Sequence, residues 1–133
     1  MPPSPLLKKL GLRAGQRALL INPPAGYMES LGELPEGVVF TQLPAKENDF
    51  VQLFVKDSAD EFQALSPKAI QAVIYDGLLW VCYPKKSAKT GSDLSRDSFW
   101  SLMQPSGMRP VMQISIDDTW SALRFRPQEL VEK

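Results

Sequence analysis

The chain has 133 residues, a length that fits one domain, 1–133, whose core needs no disulfide bond. Hydrophobic residues make up 44% and charged residues 23%, and no apolar run reaches the ~20 residues that cross a bilayer, which excludes the disordered and membrane-spanning classes. Lys and Arg balance Asp and Glu at 15 each, so no nucleic-acid partner is predicted. The N-terminus lacks the apolar core of a signal peptide, which predicts a cytoplasmic location.

The scarcity of reactive side chains limits the chemistry open to this chain. It has no histidine, which excludes every His-dependent triad and removes the commonest transition-metal ligand. The single cysteine, Cys82, lies inside an apolar run and is expected to be a buried thiol. Any reaction would therefore depend on carboxylates, lysines, tyrosines or a cofactor.

The first strand is predicted at Arg17–Ile21, a short and nearly continuous apolar run typical of a strand covered on both faces. It follows a helical turn at 6–12 and ends at 22–24, where two prolines cannot donate to the hydrogen-bond ladder. A short helix is predicted within 26–32, and a second strand at 38–42.

A helix is predicted between the third strand, at 49–55, and the fourth. Residues 58–61 have the spacing of a capping box, whose two side chains bond to backbone N–H groups at the start of a helix. We expect this helix to kink or restart at Pro67 and to end at 76–77. Three apolar residues are expected on its buried face: Ile70, Val73 and Ile74.

The fourth strand is predicted at 78–83, the most uniformly apolar segment and therefore the one expected at the centre of the sheet. A further helix is predicted to start near Ser92 and to stop at Pro105. Strands at 111–116 and 120–125 are joined by only three residues, too few for a crossover, so they must form an antiparallel hairpin.

This order of elements predicts an α/β fold with three layers: a mostly parallel sheet, helices on both faces and a C-terminal antiparallel hairpin. Right-handed crossovers bring the carboxyl ends of parallel strands to one edge, and ligands bind there, at the point where the strand order reverses. The residues expected at this edge carry polar or charged groups: Asn22, Lys56, Tyr83, Lys85, Lys86, Asp117 and Asp118.

Four motifs carry a resemblance to a known family: KLGLRAGQRALLINPPAGY, DGLLWVCYPKKS, SDLSRD and DDTWSALRFRP. They resemble a family of small bacterial proteins, a domain of unknown function with a fold like that of the class I S-adenosylmethionine-dependent methyltransferases. The resemblance covers nearly the whole chain. It implies a reduced methyltransferase-like (Rossmann-like) domain and implies no particular reaction.

The sequence departs from true methyltransferases at two places. Residues 22–26, NPPAG, stand where those enzymes have a glycine-rich turn after the first strand, and prolines there remove N–H donors and add bulk. The chain between the second and third strands is also too short for the helix and strand that usually intervene. We therefore predict no cofactor, with S-adenosylmethionine as the open alternative.

Lys85 and Lys86 follow a buried strand and precede a helix start, so they are candidates for binding an anion. The alternative is a solvated lysine pair, or ion pairs with Asp117 and Asp118. The two aspartates could be cation ligands or a general base, but a tight turn favours aspartate in any case, and no metal site is predicted.

Asn22 ends a buried strand, so its side chain is expected to point into the crevice. Tyr27, just after the prolines, could line the same pocket or stack on a ligand. The three tryptophans, Trp80, Trp100 and Trp120, are interpreted as core or sheet-face residues.

Three functions follow as hypotheses. The first is a non-catalytic domain that binds a small anionic ligand or a protein partner at the carboxyl edge of the sheet. The second is a reduced S-adenosylmethionine-dependent methyltransferase. The third is a structural module that forms a homodimer through an edge strand such as 38–42 or 111–116.

Overall fold

The computed structural model describes residues 9–30, 36–41, 48–55, 59–84, 103, 106–116 and 119–131. Within these residues the strands are β1 (Arg17–Ile21), β2 (Val39–Thr41), β3 (Asn48–Phe54), β4 (Val73–Pro84), β5 (Met108–Ser115) and β6 (Trp120–Pro127). The helical segments include α1 (Tyr27–Ser30), α2 (Ala59–Ala72) and α3 (Gln128–Val131). None of the helices in these ranges combines the length and apolarity that crossing a bilayer requires.

The described strands form one sheet in the order β2-β1-β3-β4-β6-β5, which confirms the mostly parallel sheet with a C-terminal antiparallel hairpin. β1 pairs in parallel with β2 and β3, and β3 with β4, whereas β6 runs antiparallel to β4 and β5. The strands ending near residues 22, 55 and 83 are therefore parallel neighbours, as predicted. The strand order reverses between β1 and β3, where the chain crosses from one side of β1 to the other.

Each face of the sheet has its own apolar core. On one face, strand residues pack with Ala69 and Ala72 of α2, and the strands contribute Leu19, Ile21, Val51, Leu53, Leu79, Val81, Leu123 and Phe125. On the other face, Leu10, Leu12 and Tyr27 pack on strand residues Ala18, Phe50, Phe54, Trp80, Cys82 and Ala122. Because residues 50–54 of β3 and 79–83 of β4 are covered on both sides, these stretches are apolar except for Gln52 and do not alternate.

The predicted boundary between α2 and β4 is wrong. The helix ends at Ala72 and the strand begins at Val73, so Val73 and Ile74 belong to β4 and not to the buried face of the helix. β-branched and aromatic side chains at 73–75 favour a strand. A bulge then separates this start from the rest of β4, because Val73 pairs with Asn48 but Leu78 pairs with Phe50.

Of the two alternatives predicted at Pro67, a kink or a restart, the restart does not occur, because this proline lies inside α2, which continues to Ala72. A proline removes one backbone hydrogen bond from a helix. Burial of Ala69 and Ala72 against the sheet offsets that loss, because tertiary packing supplies most of the stability of a helix in a protein.

The hairpin of β5 and β6 is confirmed and is longer than predicted. β5 begins at Met108 and contains Pro110, and β6 continues to Pro127. A proline is tolerated here because β5 is an edge strand and the register shifts between Pro110 and Met112. The helix predicted from Ser92 lies, except for its buried residue Met103, outside the described residues.

Candidate functional site

The candidate site is the carboxyl edge of the sheet at the strand-order reversal, between Asn22 after β1 and Val55 after β3. β4 adjoins it, because the backbone N–H of Val55 donates a 2.8 Å hydrogen bond to the carbonyl oxygen of Cys82. In open α/β sheets this reversal point is where ligands bind. The residues that line it therefore decide what the crevice can accept.

Asn22 spans the gap between the ends of β1 and β3. Its Nδ2 donates a 3.1 Å hydrogen bond to the carbonyl oxygen of Phe54. Its backbone φ is +59°, a left-handed conformation that asparagine adopts more readily than most residues. The side chain that was predicted to point into the crevice thus holds the two strand ends together, and a ligand would have to compete with the Phe54 carbonyl for its amide.

Tyr27 fills the space over β3 beside this point. It is only 5% exposed, and its ring meets Phe54 edge-on with the ring centroids 4.7 Å apart. Its hydroxyl donates a 3.0 Å hydrogen bond to Oε1 of Gln52. Trp120 also meets Phe54 edge-on, with centroids 5.3 Å apart. Three aromatic rings therefore cover this end of the sheet.

The turn at 24–27 explains how Tyr27 reaches this position. The backbone N–H of Tyr27 donates a 3.1 Å hydrogen bond to the carbonyl oxygen of Pro24. Gly26 has a φ of +81°, a conformation that glycine adopts without strain. The prolines end β1 and the glycine reverses the chain, so the sequence NPPAGY directs an aromatic ring back onto the sheet.

Gln52 and Cys82 continue the buried polar contacts beneath Tyr27. Nε2 of Gln52 donates to Sγ of Cys82 at 3.3 Å, and both side chains are buried. Burial raises the pKa of the Cys82 thiol, and the hydrogen bond from Gln52 opposes this to a lesser extent. The thiol therefore stays protonated at neutral pH. Sequence reasoning missed Gln52, although a single polar residue inside the apolar run DFVQLFV is a signal of a buried hydrogen bond.

Cys82 is expected to react with a chromogenic aromatic disulfide at least roughly 100-fold more slowly in the native protein than in guanidinium chloride. The thiolate is the reactive form, and in the native protein the side chain is buried and the raised pKa keeps the thiol protonated. Absorbance of the released thiol measures the rate. Glutathione in the same two solutions corrects for the effect of the denaturant on the reagent. Equal corrected rates would contradict the burial of this thiol.

The other predicted site residues, Lys85, Lys86, Asp117 and Asp118, lie outside the described residues, as does Lys56. The strand ends next to them are described: Pro84 of β4 pairs with Trp120 of β6. The segment after Pro84 and the segment before Trp120 therefore leave from adjacent strands at the carboxyl edge. An anion site, or ion pairs between these lysines and aspartates, stays a prediction.

No model of a known protein family and no curated protein matches this chain. Solved structures with a similar fold include a SAM dependent methyltransferase from Aquifex aeolicus, with a TM-score of 0.66 at 14% identity, covering 90% of this chain and 86% of that one. Another is a Burkholderia thailandensis 1,6-didemethyltoxoflavin-N1-methyltransferase with bound 1,6-didemethyltoxoflavin and S-adenosylhomocysteine, with a TM-score of 0.54 at 12% identity over 92% and 74% of the two chains. The chain thus has the methyltransferase-like, Rossmann-like α/β fold that its sequence predicted.

The described part of the crevice does not fit the cofactor that this fold family implies. Pro23 and Pro24 have no N–H group to donate to a ligand. The amide of Asn22 is bonded to Phe54, and the ring of Tyr27 occupies the space over β3. The ring of Tyr27 is buried and its hydroxyl is bonded to Gln52, so S-adenosylmethionine could contact this ring only if that packing changed.

Proposed function

We propose that this chain is a non-catalytic domain of methyltransferase-like fold that binds a small anionic ligand at the carboxyl edge of its sheet. A protein partner at the same edge is the alternative to a small ligand. The observation that supports the non-catalytic part is that the two polar side chains described at the strand-order reversal are bonded to the protein itself. Asn22 bonds across this reversal and Tyr27 is packed beside it. A ligand at this edge would therefore depend on other groups.

The side chains described near this edge also favour binding over catalysis. A general base must be able to accept a proton from its substrate. The Cys82 thiol is buried and has a raised pKa, and the Tyr27 hydroxyl donates to buried Gln52. Neither group is available to a ligand in this conformation.

The anionic character of the ligand is inferred from the sequence next to β4. Two adjacent lysines, Lys85 and Lys86, follow Pro84, which ends β4 at the edge where β1 and β3 also end. Ammonium groups bind phosphate and carboxylate through charge-assisted hydrogen bonds. A small phosphate or carboxylate ligand is the class that this pair would select.

A thermal-shift panel of citrate, inorganic phosphate, ADP, S-adenosylmethionine and S-adenosylhomocysteine tests the proposal. An anion that binds should raise the melting temperature in proportion to RT ln(1 + [L]/Kd), and Lys85→Ala/Lys86→Ala should weaken its binding about tenfold or more. The matched control is Lys8→Ala/Lys9→Ala, the other adjacent lysine pair of the chain, which should leave binding unchanged. If no anion binds, or both double variants weaken it equally, a carboxyl-edge anion site is refuted.

A reduced S-adenosylmethionine-dependent methyltransferase is the second candidate. The match to the Aquifex aeolicus methyltransferase favours it, because 86% of that enzyme's chain is covered by this short protein. Stabilisation by S-adenosylmethionine and S-adenosylhomocysteine alone would support this candidate. It would also count against the non-catalytic proposal, because the chain would then bind the cofactor of the enzymes that share its fold.

Self-association is a third candidate, favoured by the exposure of apolar residues on both edge strands. Val39 on β2 is 55% exposed and Met112 on β5 is 48% exposed. Unpaired edge strands can pair between copies of a chain. Light scattering at tens of micromolar protein would detect such a dimer, and a monomer at that concentration would remove this candidate.

A further inference from the structure

A pocket lies at the amino edge of the sheet, the end opposite the carboxyl edge, where β4 and β5 begin and β6 ends. The backbone N–H of Gln128 donates a 2.8 Å hydrogen bond to the carbonyl oxygen of Gly107 and joins the two strands of the hairpin beside it. The volume of the pocket is about 230 Å³, below the ~300 Å³ at which pockets for drug-sized ligands begin, so it suits a small molecule. Its apolar lining comes from the end of α2, from β4 and from the hairpin: Ile70, Val73, Ile74, Met108 and Pro127.

The bulge in β4 forms one wall of this pocket. Residues 48–50 of β3 pair across residues 73–78 of β4, so two residue steps along β3 correspond to five along β4. Within the bulge, Asp76 has a φ of +57°, and a Cβ at Gly77 would lie 2.8 Å from Cγ2 of Val73. Only glycine therefore fits at residue 77 without a shift of the neighbouring side chain. Bulges re-aim side chains, and this one brings three of them to the pocket: Ile74, Tyr75 and Asp76.

The two charged residues that line the pocket, Asp76 and Glu129, are both acidic. Asp76 is neutralised by Arg126, whose Nε and Nη2 donate hydrogen bonds of 2.8 and 2.9 Å to its two oxygens. Glu129 is exposed, and its Oε1 accepts a 2.7 Å hydrogen bond from the hydroxyl of Tyr75. A carboxylate has about four acceptor positions, so Glu129 can accept further hydrogen bonds beyond those from Tyr75 and from its own backbone N–H.

The electrostatic environment of Tyr75 is negative. The hydrogen bond to Glu129, followed by desolvation and the charges of Glu129 and Asp76, raises the pKa of the Tyr75 hydroxyl. The same hydrogen bond lowers the pKa of Glu129, which is therefore ionised at neutral pH. Arg126 does not line the pocket, because its neighbour Phe125 packs on the α2 face of the sheet and successive strand residues point to opposite faces. Glu129 is thus an ionised carboxylate beside an apolar cavity.

We propose that this amino-edge pocket binds a small organic cation, with the ammonium group on Glu129 and the apolar body of the ligand against the apolar lining. An ammonium group donates charge-assisted hydrogen bonds to a carboxylate. The exposed ring of Tyr75 adds an aromatic surface, which attracts cations. Burial of an apolar group against Val73 and Met108 supplies the rest of the affinity. An amine that carries one ring or a short alkyl chain matches both the charge and the size of this pocket.

The pocket is separate from the carboxyl edge. β4 runs from Val73 at the pocket to Pro84, which pairs with Trp120 at the carboxyl edge. The two places also favour opposite charges, since the pocket has a carboxylate and the segment after β4 has two lysines. The amino-edge site therefore does not depend on the anion site proposed above, and either can fail without the other.

The test is a titration of the ¹⁵N-labelled protein with benzylamine, followed by NMR at pH 7 and constant ionic strength, where the amine is protonated. Benzylamine is expected to bind with a Kd of roughly 1 mM and to shift the backbone amide signals of Tyr75, Gly107 and Glu129. Benzyl alcohol, a neutral molecule of the same shape, should bind about threefold more weakly or worse. Glu129→Gln should weaken the binding of benzylamine about threefold to fivefold, and Tyr75→Ala about threefold.

The matched control is Glu36→Gln, which makes the same charge change at an exposed glutamate just before β2, three strand positions away from β4. At that distance screening by salt should keep the change in Kd below about 1.5-fold. The spectrum of each variant without ligand shows whether it is folded. The proposal is overturned if benzylamine does not bind, if benzyl alcohol binds as tightly, or if Glu36→Gln weakens binding as much as Glu129→Gln. It is also overturned if benzylamine shifts the signals of Asn22 and Val55 at the carboxyl edge and leaves those of the pocket unchanged.

Discussion

Trp80→Ala is expected to lower the free energy of unfolding by about 3–5 kcal/mol, the usual cost of removing a large buried aromatic side chain. Trp80 is 1% exposed at the centre of the sheet, where β4 lies between β3 and β6. Its Nε1 also donates a 2.9 Å hydrogen bond to the carbonyl oxygen of Leu10. The substitution would therefore leave a cavity under the N-terminal segment and remove the bond that ties this segment to the sheet.

Two further variants separate these contributions in urea denaturation followed by circular dichroism. Trp80→Phe keeps most of the buried ring but leaves the Leu10 carbonyl without its donor, so a loss of about 1–3 kcal/mol is expected. Tyr75→Ala is the control, because this aromatic side chain is 65% exposed and its removal should cost less than about 1 kcal/mol. If Trp80→Ala cost no more than Tyr75→Ala, the packing of residues 9–12 against the sheet would be wrong.

The strands at the centre of the sheet could be predicted from the sequence because they are buried on both faces. RALLI and LLWVCY contain almost no polar residue, and the sequence placed β1 at its observed bounds. The hairpin was predictable for a different reason: a connection of three residues permits only antiparallel pairing. In both cases the information lies within a few neighbouring residues.

The start of β4 depends on contacts that are distant in sequence. Nδ2 of Asn48 donates a 2.9 Å hydrogen bond to the carbonyl oxygen of Ala72, the last residue of α2. Asn48 also pairs with Val73, so the helix ends where β3 meets it. The local apolar spacing of Ile70, Val73 and Ile74 is equally compatible with a longer helix, and for this reason the prediction failed.

The candidate site likewise has residues that the local sequence predicts and partners that it does not predict. The positions of Asn22 and Tyr27 near the strand-order reversal follow from the end of an apolar strand and a proline turn. Their partners, the Phe54 carbonyl and the Gln52 amide, are set by pairing between β1 and β3 and could not be read from either segment alone.

Tyr27→Ala is the second substitution with a large expected effect, a loss of about 3–5 kcal/mol in the free energy of unfolding. The ring is buried against Phe54, and its removal also leaves Oε1 of Gln52 without its donor. Tyr27→Phe removes the hydroxyl alone and should cost about 1–3 kcal/mol, because a buried acceptor is then unsatisfied. Gln52→Leu should likewise destabilise the protein, since it removes the partner of a buried hydroxyl.

A double-mutant cycle between Tyr27→Phe and Gln52→Leu tests whether this contact forms in solution. The double variant replaces both polar groups by apolar groups of similar shape, so it should be more stable than the sum of the single losses predicts, by about 1–2 kcal/mol. Additive losses would contradict the hydrogen bond between Tyr27 and Gln52.

The same contact separates the non-catalytic proposal from the methyltransferase candidate, because a Tyr27 ring that is buried and bonded to Gln52 cannot stack on a ligand. If the ring stays packed against Phe54, the parent protein should not bind S-adenosylhomocysteine. Tyr27→Ala should then bind this compound no more weakly than the parent does. A parent protein that binds S-adenosylhomocysteine, and loses that binding in Tyr27→Ala, would mean that the ring swings out to stack on the ligand. The domain would then be a cofactor-binding protein whose crevice opens, and the non-catalytic proposal would fail.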